Sequence, residues 1–301
     1  MNRVLVPYDF SSNARRALAL AMQGFPFGRE VEIDLLHVVD SDLYDNVLAS
    51  KYVPSDEAIR SYLDDEVKQL QAELEVANAA TSVLELIAPK TTVARGRAHA
   101  CIDERMREAG VVGVLIGGQG HGGVRERLLG RTAQRVIRHA EVPVLIVKRG
   151  RDLGVPSRLM SGVDWSVHSR HALSMAARLS SARGAKLEVV HVIDSPYVPY
   201  MKAFAHERDA NGALDEIRAQ QLDRLETFVG RALAEIEPKP AIAKQILFGD
   251  PAETLAAHAR TSLSELLVVG GHGHSDVARY LLGSTAEKLV TSTAADILVV
   301  T

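Results

Sequence analysis

One cysteine, Cys101, occurs in 301 residues, so no intrachain disulfide can form. That fits a reducing compartment. No run of about 18 apolar residues occurs, so no transmembrane helix is expected. The opening residues MNRVLVPYDF lack the apolar core of a signal peptide and read as a strand. An excess of one charge is missing too: 35 Lys and Arg stand against 38 Asp and Glu, a net charge of −3. Neither half is basic, so neither nucleic acid nor a membrane surface is expected as a partner. The cytoplasm is the expected location.

What is present suffices for a full core. Apolar residues make up 47% and charged residues 24%, and the length allows two ordinary domains. One loop occurs twice. Residues 117–131 read GGQGHGGVRERLLGR and residues 270–284 read GGHGHSDVARYLLGS. Each follows an apolar run and precedes a helix-like stretch. The shared spacing is Gly, two residues, Gly, nine residues, Gly. A glycine loop between a strand and a helix start can hold phosphate on backbone N–H groups.

The duplication extends further. VLVPYDFSSNARRAL (4–18) aligns with LMSGVDWSVHSRHAL (159–173), and VPVLIVK (142–148) with ADILVVT (295–301). The offset drifts from 155 (Asp9 to Asp164) through 154 (His37 to His191) to 153 (Gly117 to Gly270). Small slips around a steady offset mark a tandem duplication. The expected domains are 1–148 and 158–301, joined by a charged, Gly- and Pro-containing linker at 149–157.

Short apolar runs alternate with amphipathic stretches in both copies. In the first, strands are expected near 3–8, 30–38, 82–94, 111–117 and 143–148. Helices are expected near 11–23, 56–79, 98–109 and 124–139. This pattern predicts two tandem open, parallel, five-stranded α/β domains of Rossmann-like type. Residues 41–55 and 195–208 read as loops or flaps beside the sheet.

Ligands of such sheets bind at strand C-termini where the strand order reverses. Asp9 and Asp164 follow the first strand of each copy, His37-Val38 and His191-Val192 end the second, and the glycine loops follow the fourth. An acid there can accept from ribose hydroxyls, a loop can hold phosphate, and exposed backbone can pair with a base edge. The acids can instead cap the following helices, although Ser11 and Ser166 can do that as well. Histidines 37 and 191 are expected to be packed and hydrogen-bonded. His168 and His171 follow Ser166 at a helix start, within reach of the ligand mouth, and read first as helix-surface residues. His121, His272 and His274 lack the partners of a metal site, so no metal site is expected. Cys101 reads as a small core residue. No hydrolytic triad or Walker lysine is visible, and no catalytic residue is assigned.

With these residues in place, the chain resembles a tandem universal stress protein over essentially its whole length. Nucleotide-binding members carry G-x2-G-x9-G-[S/T], an Asp after the first strand and a His-Val-[IV]-Asp stretch after the second. The resemblance implies an adenine-nucleotide alpha-hydrolase-like fold packed as an internal pseudo-dimer through the last strand of each copy. It implies a stress-response regulator that binds ATP or another adenine nucleotide, with Mg arriving alongside. At the C-terminal site the implied contacts are Asp164 to ribose, Val192 to adenine, and Val269, Gly270, Gly271, His272, Gly273, Gly283, Ser284 and Thr285 around the phosphates. The N-terminal site would use Pro7, Asp9, Val38, Gly117, Gly120, Gly130, Arg131 and Thr132. Arg131 departs from the family's Ser or Thr; it can contact phosphate, fill the pocket or point outward. Gly162 departs where the family often has proline. A homodimer and an unidentified downstream protein partner are further implications. The alternatives are a scaffold that binds no nucleotide and an ATP-using transferase.

Overall fold

A computed structural model describes residues 2–40, 53–78, 85–119, 129–150, 152–194, 207–272 and 282–301. Two compact units divide the chain, Met1–Val155 and Pro156–Thr301.

The first unit runs β1 (Asn2–Pro7), α1 (Ser12–Met22), β2 (Val31–Val39), α2 (Asp56–Ala77), β3 (Pro89–Arg95), α3 (Ala98–Met106), β4 (Val111–Gly117), α4 (Arg131–His139) and β5 (Val144–Val147). The second repeats it as β6 (Arg158–Val163), α5 (Val167–Arg183), β7 (Lys186–Ile193), α6 (Glu207–Ala232), β8 (Ile242–Phe248), α7 (Pro251–Thr261), β9 (Leu266–Gly270), α8 (Ser284–Ser292) and β10 (Asp296–Val300). Within the first unit the strand order is β3-β2-β1-β4-β5, and within the second β8-β7-β6-β9-β10. Every pairing in these two sets is parallel. The order reverses between β1 and β4, and again between β6 and β9. Each unit therefore has a switch point at the C-terminal ends of those strands.

Burial explains the sequence of the strands. Val4, Leu5 and Val6 of β1 and Leu266, Leu267 and Val268 of β9 are buried, as strands covered on both faces must be. Helix α1 carries four alanines, Ala14, Ala17, Ala19 and Ala21, and all four are buried. These small side chains let the helix lie close on the sheet. Ser11 starts it by accepting from Ala14 N at 3.2 Å. Helix α5 starts on Ser166, accepting from Ser169 N at 3.0 Å, and ends on Gly184 at φ +64°.

Three boundaries differ from the sequence expectation. The strand expected from 82 begins at Pro89, after irregular residues at 85–88. The helix expected to reach 109 stops at Met106, because the chain turns through Gly110 at φ +90° to enter β4. The helix expected from 124 has its N-cap at Gly130, whose φ −64° and ψ 147° are extended. Most of 41–55 and 195–208 lies outside the described residues, as do Gly120, His121, Gly273 and His274.

The segment after β5 is fastened to α1. Arg16 is fully buried, and its Nη1 donates to Gly154 O at 3.1 Å. Gln23 Nε2 donates to Leu153 O at 2.9 Å. Two buried polar heads thus take their acceptors from the backbone of a segment whose composition alone reads as a free tether.

Ser161 is a polar intrusion in β6. It is fully buried, and its Oγ has no partner among the described residues. Val6 stands at the matching place in β1. A buried hydroxyl without a partner costs about 1–3 kcal/mol. Ser161→Ala is therefore expected to raise unfolding stability by about 1 kcal/mol. A urea midpoint that falls in this variant would refute the assignment.

Candidate functional site at the switch point of the second unit

At the end of β6 the chain passes through Asp164, Trp165 and Ser166. Trp165 adopts φ +70°, and its counterpart Phe10 adopts φ +63°. This left-handed step folds the carboxylate back over the helix start. Asp164 Oδ1 accepts from Ser166 N at 3.1 Å and from Ser166 Oγ at 2.5 Å. In the first unit Asp9 Oδ1 accepts from Ser11 N at 3.0 Å. The serines are thus the caps, and the acids hold the cap residues in place.

The left-handed aromatics are packed against the strand histidines. The Trp165 and His191 rings lie 4.2 Å apart, and the Arg224 guanidinium sits 4.5 Å over Trp165. Phe10 and His37 repeat the contact at 4.9 Å. His191 Nδ1 donates to Val163 O at 2.8 Å, and His37 Nδ1 to Tyr8 O at 2.8 Å. Both histidines are bonded to the end of the neighbouring strand, as the sequence suggested.

Burial pushes the His191 pKa down, and nearby Arg224 adds to the effect, against the Val163 carbonyl and Asp164. The ordinary histidine value is about 6.5. Below that value the unfolded chain binds more protons than the folded one, so stability falls as pH drops through the window beneath it. Above the window this stability is fully present. His191→Asn keeps a donor for Val163 O and removes the titration. The drop in urea midpoint between pH 8 and pH 5.5 is expected to be smaller in this variant. An unchanged drop would exclude His191 as a cause.

The glycine loop leaves β9 at Gly270. A Cβ there would lie 2.9 Å from His168 C and from Ser169 N. At Gly117 it would lie 3.0 Å from Ala14 N. The first loop glycine of each unit therefore lets the first turn of the helix after that unit's first strand, α5 or α1, pack on the strand end. Gly271 N donates to Val300 O at 2.8 Å, and Gly283 N to Gly271 O at 2.7 Å. Gly118 and Gly130 repeat both bonds, each at 2.7 Å. These clamps bring the start of α8, or α4, back to the strand end.

Gly283 has φ −58° and ψ 144°, a conformation open to any residue. Backbone strain does not require glycine there. The consequence of glycine is the lack of a side-chain cap on α8, and α4 likewise has none after Gly130. The first N–H groups of a helix have no intrahelical partners and carry partial positive charge.

A cavity of about 390 Å³ opens at this switch point. Its wall brings together Asp164, Val192, Val269, Gly270, His272, Gly283, Ser284 and Thr285. Gly271 is buried beside Val299 rather than on the wall. Other wall residues carry no motif in the sequence: Ser169 from α5, Pro251 and Leu255 from α7, and Leu289 from α8. Their one visible signal is the apolar face of the helices that bear them. Gly162 also lines the cavity, and a Cβ there would lie 2.9 Å from Leu255 Cδ1. This departure from proline leaves room for Leu255. Among the described wall residues Asp164 is the one carboxylate, and none is Lys or Arg.

His168 departs from its surface reading. It is half-buried, with its ring 5.3 Å from that of His272. His171 is exposed. Burial lowers the His272 pKa, and His168 adds to the effect.

In the first unit Pro7 is buried at the end of β1, Asp9 is exposed, and Val38 pairs with Ala94 of β3. Arg131 is exposed at the first position of α4, and Thr132 is half-buried. Cys101 is only half-buried, with Sγ donating to Arg95 O at 3.7 Å. Burial raises its pKa, which keeps the thiol protonated near neutrality. Among the described residues no three His, Cys, Asp or Glu converge on a metal-sized space, and no helix is long and apolar enough to cross a membrane.

Two copies of a five-stranded parallel unit, each with a clamped glycine loop at its switch point, define a tandem α/β protein. A sequence model described as the universal stress protein family matches residues 1–148 and again 157–301. The chain belongs to the universal stress protein family. It is 30% identical over 190 residues to a universal stress protein of Mycolicibacterium smegmatis, a match covering 62% of this chain and 60% of that protein. A universal stress protein of Mycobacterium bovis is 23% identical over 279 residues, covering 90% and 88% of the two chains. The crystal structure of a universal stress protein from Archaeoglobus fulgidus shares the fold, with a TM-score of 0.59, 20% identity, and coverage of 99% and 98%.

Proposed function

We propose that the second unit binds an adenine nucleotide, ATP in the first instance, and that occupancy regulates a protein partner in a cytoplasmic stress response. The observation that carries this reading is the joint placement of Asp164 and the uncapped start of α8 on one cavity wall. In this reading Asp164 accepts from the ribose hydroxyls. The backbone of Val192 meets the base edge. The first N–H groups of α8 and the hydroxyls of Ser284 and Thr285 take the phosphates, with Mg arriving on the nucleotide. The cavity volume is within the range usual for small-molecule sites. A regulatory role is favoured over turnover because the residues after Gly283 are Ser-Thr, with no Walker lysine. The first unit offers a second site, in which Arg131 replaces the hydroxyl residue.

The test is acid denaturation of freshly purified protein, with mass spectrometry of the released small molecules and calorimetric titration of ATP. Nucleotide near one per chain supports the second unit alone, and near two supports both. No nucleotide and no heat of binding would remove this reading and favour a scaffold.

A further inference from the structure

Two imidazoles meet beside the cavity of the second unit, one of them on its wall, at positions where the first unit has two amides. His168 and His272 of the second unit match Asn13 and Gln119 of the first at the offsets of the duplication. The His168 and His272 rings lie 5.3 Å apart. In the first unit Asn13 Nδ2 donates to Gln119 O at 3.4 Å, and neither residue titrates.

His272 is not explained by the packing around it. Its Nε2 is shielded from solvent and has no hydrogen-bond partner among the described residues. A shielded polar atom without a partner needs a reason. His272 also lines the cavity that Gly283, Ser284 and Thr285 line. The start of α8 offers only partial positive charge. Asp164 is the only formal charge on the described wall, and it is negative. Apart from Mg carried by the nucleotide, a polyphosphate entering this cavity would meet no side-chain cation among the described wall residues.

We propose that His272 supplies one: as a phosphate-bearing nucleotide enters the second unit, His272 takes one proton from solvent and donates Nε2–H to the phosphate. The proposal rests on the nucleotide reading of this cavity. The balance is simple: the neutral ring gains a proton from the buffer, and the ligand loses none. In the empty site, burial and the neighbouring His168 hold the ring neutral. A bound anion reverses that preference. Charged and titratable groups stand on the elements that line the cavity and in the adjoining sequence. His168 stands on α5, and Asp164 at the end of β6. Glu287 lies in the first turn of α8, and Lys288 of α8 pairs with Asp250 at the start of α7 at 3.2 Å. His274, Asp276 and Arg279 follow in the sequence, outside the described residues. The consequence is selectivity: affinity for phosphorylated nucleotides depends on pH, and affinity for adenosine does not.

The test uses the full chain and titration calorimetry with ATP and with adenosine. Titrations at pH 7 in two buffers of different ionisation enthalpy count the protons taken up. Titrations at pH 6 and pH 8 give the pH profile. For the wild type the expected result is net uptake with ATP, an affinity that falls about tenfold from pH 6 to pH 8, and a flat profile with adenosine. His272→Gln, which copies the first unit, is expected to lose the uptake and flatten the ATP profile. Any binding by the first unit is expected to be flat and serves as an internal reference. ATP binding without proton uptake in the wild type overturns the proposal and leaves the nucleotide reading intact. So does uptake that persists in His272→Gln and disappears in His168→Asn. If His272→Gln fails to bind at all, the wild-type proton count decides alone. No ATP binding at either pH overturns both readings.

Discussion

Gly283→Asp is expected to make the empty protein more stable and to abolish nucleotide binding in the second unit. The two effects have one cause. Gly283 occupies the N-cap of α8 in an extended conformation that aspartate adopts freely, and α8 has no side-chain cap. An aspartate there would accept from the first-turn N–H groups, as Asp250 already does for α7 by accepting from Glu253 N at 2.9 Å. Replacing glycine by a good cap is worth a few tenths of a kcal/mol, up to about 1 kcal/mol. The same carboxylate would occupy the groups proposed to hold phosphate and set a negative charge where the ligand's charge must sit. ATP affinity is expected to drop by more than about a hundredfold, the loss of several charge-assisted bonds plus repulsion. The checks are a urea midpoint without ligand and an ATP titration. Increased stability with unchanged affinity would show that the start of α8 does not hold the phosphates. Decreased stability would show that the extended conformation at Gly283 needs glycine after all.

Gly270→Ala should cost about 3 kcal/mol of stability, a large loss for a single methyl group. The added Cβ would sit 2.9 Å from two backbone atoms of α5, at His168 and Ser169. A side-chain tip can rotate away, but a helix backbone cannot without lifting its first turn off the sheet. Gly271→Ala and Gly162→Ala provide the comparison. At Gly271 the nearest atom is Val299 Cγ1 at 3.3 Å, and at Gly162 it is the tip of Leu255 at 2.9 Å. The Leu255 tip can rotate away, and the Val299 methyl need give only slightly at 3.3 Å, so both losses are expected to be under about 1.5 kcal/mol. Thermal or urea unfolding of the three variants checks the order. A Gly270→Ala protein as stable as Gly271→Ala would show that the close approach of α5 relaxes at little cost. Gly117→Ala is expected to behave like Gly270→Ala, since the first unit has the same approach at 3.0 Å.

These glycines also show where sequence reasoning reached and where it stopped. The spacing of Gly270 and Gly283 marks a loop between a strand and a helix, and in the structure β9 ends at Gly270 and α8 has its N-cap at Gly283. The spacing does not say which glycine does what. Gly270 is required by the packing of α5, a contact with residues about a hundred positions earlier in the chain. Gly283 leaves a helix start uncapped. Likewise, Asp164 followed by Ser166 could be read as a cap or a ligand group. The hydrogen bonds divide the work, with Ser166 capping α5 and Asp164 holding Ser166 from the cavity wall.

The sequence by itself determined the duplication, the alternation of strands and helices, and the parallel α/β class. Those follow from local periodicity and from a repeat offset, and both are properties of the chain order. Tertiary structure alone decided that Leu255 and Leu289 wall the cavity, that Arg16 and Gln23 fasten the segment after β5, and that His168 meets His272. Each of these joins residues from different elements, and no spacing along the chain encodes the distance between them. Burial in a common core brings them together, and burial is set by the whole fold.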